Sequence, residues 1–290
     1  MILQETRTLS NGVRIPKLGF GTWLIADTDA ADIVYEAIKD GYRLIDTAEA
    51  YGNERGVGEG IRRAINEGIV TRQELFVTTK LAAEIKEYNG AVAAIDESLR
   101  KADIGYFDLM LIHCPQPWAR YRDGTGYKCF EGNREAWKAL EEAYRAGSLK
   151  AIGVANFEQD DLKDLFGHSE IKPMVDQVLC HIGNTPFELI DFCQNNDILV
   201  EAYSPIAHGA ILSNATVKTM SDKYDVSPAR LCLRYDLQLG TIPLPKSENP
   251  EHIASNTEVD FEISQEDMDT LEAMSGIDYG EFSEFPCFRV

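Results

Sequence analysis

Four residues of this chain have the types and placement needed to move a proton onto a carbonyl oxygen: Asp46, Tyr51, Lys80 and His113. Asp46 closes the apolar run "RLID", and Tyr51 follows five residues later in the small, polar stretch "TAEAYGNE". Lys80 ends "LFVTTK", and His113 ends "LMLIH". An ammonium among apolar strand residues needs an anionic partner, and Asp46 at the end of the neighbouring run can supply it. A lysine beside a phenol favours the phenolate, so Tyr51 is expected to titrate below its usual ~10 and to act as a general acid near neutral pH. His113 can place an N–H on the same oxygen and orient it. This set suits protonation of an oxyanion formed as a carbonyl receives hydride, and hydride requires a cofactor.

The elements that must position these groups alternate. Short apolar or β-branched runs at 17–22, 43–48, 75–81, 107–114, 150–156, 174–180, 198–204 and 241–247 read as eight strands. Helical spacing fills the gaps between them, as in "DAADIVYEAIKDG", "GNREAWKALEEAYRAG" and "PFELIDFCQNND", several closed by Gly or Asn. Strands that alternate with helices are parallel, and eight such units suit an α/β fold of one (β/α)8 TIM barrel, residues 1–290, better than an open sheet. An Asn-Gly turn in "RTLSNGVRIP" places a β-hairpin before the barrel. Active sites of this fold form at the C-terminal ends of the strands. The polar residues there are Thr22, Trp23, Asp46, Tyr51, Lys80, His113, Asn156, Gln177, Tyr203, Ser204, Lys246 and Ser247.

Composition narrows the partners. A formal charge of −20 argues against nucleic acid or an anionic membrane, so any anionic ligand needs a local positive site. Six scattered cysteines without a C-x-x-C pair, and an opening "MILQETRTLS" with no apolar signal segment, fit a reducing, cytoplasmic setting. The two G-x-G stretches, "GFGTWL" and "GVGEGI", lack a third glycine, and the second lies in a helix pattern. Both read as turns or helix packing rather than a dinucleotide fingerprint. His168, His181 and His208 show no ligand spacing with Cys or carboxylates, so no metal site is expected and they read as surface or loop residues, His181 being close enough to a strand end to touch the pocket. Glu49 sits too near Asp46 to flank a sugar with it as a glycosidase pair would, and reads as a solvated loop residue.

The motifs "LGFGTW", "LIDTAEAYGNE", "TTKL", "LMLIHCP", "AIGVANF", "AYSP" and "PLPKSENPEHIASN" occur in an order and spacing that resemble the aldo-keto reductase superfamily over nearly the whole chain. The nearest likeness is to small microbial reductases grouped with the 2,5-diketogluconate reductases. The resemblance implies NADPH-dependent carbonyl reduction on a monomeric barrel, with Asp46, Tyr51, Lys80 and His113 as the catalytic tetrad. It implies that Asn156 and Gln177 hold the nicotinamide carboxamide, that Tyr203 stacks on the ring, and that Ser204 and the following loop cover the pyrophosphate. Lys246 and Ser247 would hold the 2′-phosphate, beside a helix start, and Asn256 the adenine; Thr22 and Asp46 complete the cofactor set.

The departures from the family pattern carry their own expectations. His252 stands where an Arg is usual and lacks the forked, permanently charged head, so preference for NADPH over NADH should weaken and NADH should be accepted. Cys114 stands where a Trp commonly follows the catalytic His, which would widen the substrate pocket beside Trp23, Tyr51 and His113. Ala155 replaces a usual Ser near the carboxamide, and the tail "GIDYGEFSEFPCFRV" differs from the ending that normally shapes substrate choice. The loop 116–132, with Trp118, Tyr121, Tyr127 and Phe130, is aromatic enough to cover a ligand. Two other readings compete with the carbonyl reductase: a catalytically minor nucleotide-binding or sensing member of the same fold, and a metal-dependent barrel hydrolase. The intact tetrad weighs against the first, and the missing ligand cluster against the second.

Overall fold

The hairpin signal folds as expected in the computed structural model, which describes residues 1–121 and 125–280. Strands β1 (Thr6–Thr8) and β2 (Arg14–Pro16) pair antiparallel, with Gly12 at φ +87°, a left-handed turn position that suits glycine. The hairpin feeds Leu9 and Ile15 into the main hydrophobic core.

The eight apolar runs form one parallel sheet in chain order: β3 (Gly19–Gly21), β4 (Leu44–Asp46), β5 (Phe76–Leu81), β6 (Leu109–Ile112), β7 (Ile152–Ala155), β8 (Val175–Leu179), β9 (Leu199–Tyr203) and β10 (Ile242–Leu244). The sheet curls into a nearly closed barrel, and the Gly21 N–H donates to the Pro245 carbonyl at 2.9 Å between its first and last strands. Helices cover the outside, so strands such as β5 are buried at every position and read as continuous apolar runs. The helices are α1 (Asp27–Lys39), α2 (Glu54–Asn66), α3 (Tyr88–Ala102), α4 (Phe130–Ala146), α5 (Gln159–His168), α6 (Phe187–Gln194), α7 (Ala215–Lys223), α8 (Pro228–Gln238), α9 (Pro250–Ser255) and α10 (Gln265–Glu272). The β9 to β10 connection carries two of them, α7 and α8, which pack with α10 around a second apolar cluster that includes Val217, Leu231 and Leu271.

The "GVGEGI" glycines lie inside α2, where they set helix spacing. A Cβ at Gly56 would stand 2.2 Å from the Asp27 carbonyl oxygen, one at Gly60 2.5 Å from that of Ala31, and one at Gly58 1.9 Å from that of Ala102. The helix therefore sits against the backbones of α1 and α3 in a way that only glycine permits. Gly58→Ala is expected to destabilise the protein by about 1–3 kcal/mol, because overpacking against backbone outweighs the gain in helix propensity of about 1 kcal/mol. Thermal denaturation measures this, and an unchanged or raised Tm would contradict it.

Among the described residues no helix is long and apolar enough to cross a membrane. The tail residues 281–290, including Cys287, lie outside the described residues, as do 122–124 of the aromatic loop.

Candidate active site

Three consecutive strand ends bring the acid, the amine and the imidazole together. Asp46 is the last residue of β4, Lys80 lies one residue before the end of β5, and His113 follows β6. Tyr51 arrives from the loop after β4, on a short 3-10 turn (Glu49–Tyr51) that Gly52 closes at φ +68°. The fully buried Lys80 Nζ lies 2.6 Å from Asp46 Oδ1, 3.0 Å from the Thr47 carbonyl oxygen and 3.2 Å from the Tyr51 hydroxyl. The Tyr51 and His113 rings meet edge to face with centroids 5.7 Å apart. Asn53 braces this loop, accepting from the Thr47 hydroxyl at 2.7 Å and donating to the Thr22 and Ile25 carbonyls.

The electrostatics follow from burial. Desolvation opposes the Lys80 charge, but Asp46 and Tyr51 outweigh it and raise the Lys80 pKa, so the ammonium persists. His113 is held well below the usual imidazole range by burial and by the positive charges of Lys80 and Lys86, which leaves a neutral ring at pH 7. Tyr51 corrects the sequence-based expectation. Burial raises its pKa above the ordinary value and outweighs the lowering effect of Lys80, so the resting group is a phenol with its proton in place.

Asp46, Tyr51 and His113 form the floor of a cavity of about 630 Å³, within the usual range for a small-molecule site, and Lys80 lies buried beneath them. Asn156, Gln177 and Tyr203 form one wall from β7, β8 and β9; Lys246, Ser247 and Glu248 line it beyond β10. The wall is cross-linked. Tyr203 donates its hydroxyl to Asn156 Oδ1 at 2.7 Å, Asn156 Nδ2 donates to the His113 carbonyl at 3.0 Å, and Gln177 Nε2 donates to Asp46 Oδ2 at 2.9 Å. The loop that follows β9 is strained, with Ser204, Ala207 and His208 at φ +52°, +44° and +52°.

The sequence model of the Aldo/keto reductase family matches residues 17–275. The chain belongs to the aldo/keto reductase family. Its relatives include glyoxal reductase of Bacillus subtilis, 41% identical and covering 94% of each chain. The NAD(P)H-dependent D-xylose reductase I,II of Candida tropicalis is 36% identical, covering 92% of this chain and 91% of that protein. Among solved structures, an aldo-keto reductase of Bombyx mori in complex with NADP superposes with a TM-score of 0.84 at 32% identity, covering 98% of each chain. The protein is accordingly an NAD(P)H-dependent oxidoreductase that reduces carbonyl compounds.

Most of the site residues read from the sequence line the reductase cavity, Trp23 among them, but five do not: Lys80, buried beneath the floor, and Thr22, His252, Asn256 and Cys114. Thr22 is fully buried and donates to the Asp46 carbonyl at 2.9 Å, a support beneath the floor. His252 is exposed on α9, and Asn256 is buried just past its end. Cys114 is buried outside the cavity against Ala83, Tyr121 and Trp118, because adjacent residues at a strand end point to opposite sides and His113 takes the inner one. The indole wall comes instead from Trp118, whose ring sits 5.4 Å from that of His113. Glu49 stays off the cavity and accepts from the Ala82 N–H at 3.3 Å.

Two cavity groups and one group beneath them escaped the sequence reading. His208 lines the cavity, 3.1 Å from the Ser204 hydroxyl and edge to face with Trp23 at 4.9 Å. Glu248 lines it as well and pairs with Lys246 at 2.5 Å. Glu201, fully buried in β9, accepts from Gln177 at 2.8 Å. His181, far from being a surface residue, is fully buried against Tyr279, 3.1 Å from the Ser204 carbonyl.

Proposed function

We propose that the protein reduces small aldehydes and ketones with Tyr51 as proton donor, with NADPH as the preferred hydride donor and NADH accepted as well. The observation that carries this reading is the Lys80 ammonium, buried beneath the cavity floor, in contact with both Asp46 and the Tyr51 hydroxyl that line it. When bound, the reduced dinucleotide supplies the hydride. Asn156, Gln177 and Tyr203 would hold its nicotinamide end, Ser204 and the strained loop its pyrophosphate, and Lys246, Ser247, His252 and Asn256 its adenosine end. The donor set fits such a group: the wall pairs amide side chains with an aromatic face, and Lys246 supplies a cation in a strongly acidic protein.

The Tyr51 phenol holds a proton at the distance of a hydrogen bond from Lys80, whose charge offsets the negative charge left on the phenol oxygen as that proton departs. Asp46 keeps Lys80 charged and aimed. The neutral His113 can donate an N–H to the carbonyl oxygen and hold it beside the phenol, and Trp23 and Trp118 supply apolar walls that exclude water. The reading is of a monomer, in a cytoplasmic setting that suits the scattered cysteines. A single barrel domain carries the whole activity. Loss of NADPH absorbance on adding a panel of small aldehydes and ketones, without metal, tests the proposal. No loss with any of them would overturn it.

Cofactor choice follows from the adenosine end. Lys246 is already paired with Glu248, and a carboxylate there repels a 2′-phosphate while it can accept from a ribose hydroxyl. His252 offers no forked cation to compensate. His252→Arg is expected to raise the ratio of kcat/KM for NADPH over NADH by about tenfold, the equivalent of one charge-assisted contact, and Glu248→Gln by a smaller factor in the same direction. Steady-state kinetics with both cofactors measure this. Ratios unchanged in both variants would remove the adenosine-end account and leave the proton-transfer reading intact.

A further inference from the structure

The mechanism above leaves several buried titratable groups unused, Glu201 among them. Glu201 lies in β9 directly opposite Gln177 of β8 in the parallel register, so the two side chains stand side by side. It is fully buried, and Glu201 Oε1 has no hydrogen-bond partner. Its other oxygen accepts from Gln177 Nε2 at 2.8 Å, and the same nitrogen donates to Asp46 Oδ2 at 2.9 Å. An amide nitrogen carries two hydrogens, and here both are taken by carboxyl oxygens. Reversing the amide would turn its carbonyl oxygen onto the carboxylate that Lys80 holds, so the orientation is fixed by its neighbours. Gln177 Oε1 is thereby left for the cavity that the residue lines.

We propose that Glu201 is a positioning residue that locks the Gln177 amide with Oε1 turned to the cofactor, where it accepts from the N–H of the nicotinamide carboxamide. The inference rests on the reading of Gln177 as a carboxamide contact. Asn156 completes the match. Its Oδ1 is engaged by Tyr203 and one Nδ2 hydrogen by the His113 carbonyl, so its second hydrogen can donate to the carboxamide oxygen. Gln177 presents an acceptor and Asn156 a donor, the complement of a primary amide in one orientation. Burial and the nearby Asp46 push the Glu201 carboxyl up to about 8, so at neutral pH it stays uncharged and adds no unbalanced charge beside the Lys80–Asp46 pair, while its carbonyl oxygen still accepts.

The test compares binding of NADP with that of its 3-acetylpyridine analogue, in which a methyl replaces the carboxamide nitrogen, by quenching of tryptophan fluorescence. The wild type should bind NADP about tenfold more tightly than the analogue, the effect of one added hydrogen bond to a buried acceptor. E201L should weaken NADP binding by about tenfold and shrink the discrimination below twofold, with KM for NADPH rising more than kcat falls. E201Q, which keeps an acceptor oxygen in the same place, should retain at least half of the discrimination. Full discrimination in E201L would overturn the proposal, as would its loss in E201Q, a variant close enough in shape to be informative if E201L fails to fold. A wild type that does not bind NADP at all would instead overturn the cofactor reading beneath it.

Discussion

Tyr51→Phe is expected to reduce kcat for carbonyl reduction by about 10³ or more, in the upper part of the range for removing a general acid, while affinity for NADPH stays within about twofold. The phenyl ring fills the same space against His113, so the cavity keeps its shape and only the hydroxyl 3.2 Å from Lys80 is lost. Because burial holds the Tyr51 pKa above its ordinary value, the proton is in place throughout the neutral range. Reduction by the wild type should therefore show no loss of rate through deprotonation of Tyr51 between pH 6 and 9. Single-turnover absorbance with saturating aldehyde measures the first effect, and a variant retaining a tenth of wild-type turnover would contradict the assignment.

Lys80→Met carries two separable losses. Removing one partner of a fully buried ion pair leaves Asp46 without its counter-charge and is expected to cost about 3–5 kcal/mol of stability. It also removes the cation that stabilises the phenol oxygen as its proton leaves, with an expected fall in kcat of about 10²-fold or more. The double variant Asp46→Asn/Lys80→Met separates the two. With no buried charge left, it should recover much of the stability in chemical denaturation, yet remain as inactive as Lys80→Met. A double variant that regains activity with stability would show that the lysine serves the fold alone.

The positions of the catalytic groups were legible because each closes an apolar run, and in a parallel barrel a run's end marks the mouth. Asp46, Lys80 and His113 are found this way, and Tyr51 follows because the polar loop after Asp46 has nowhere else to lead. Glu201 was hidden for the same physical reason. In a sheet covered on both faces, a lone acid within "ILVEAYS" gives no sign of which side it takes. The usable signal was parity: Tyr203, two residues on, was already assigned to the cavity, which turns Glu201 inward as well. Parity also places Cys114 opposite to His113, away from the cavity, as found. The direction of the Tyr51 shift was not legible, because it depends on how deeply a loop residue is buried, and spacing along the chain does not carry that. His208 belongs to the same class, brought to the cavity by a backbone turn with left-handed residues that no periodicity announces.

The proposed reaction joins a hydride donor to a carbonyl in this cavity. The most direct measurement uses NADPH carrying deuterium at the transferable position of nicotinamide C4, a small aldehyde, and mass analysis of the alcohol formed. The wild type should place one deuterium on the carbinol carbon, and Tyr51→Phe at equal NADPH occupancy should form labelled alcohol about 10³-fold more slowly or not detectably. Tight NADPH binding by the wild type without label in any alcohol would contradict the proposed reaction and identify a nucleotide-binding protein instead.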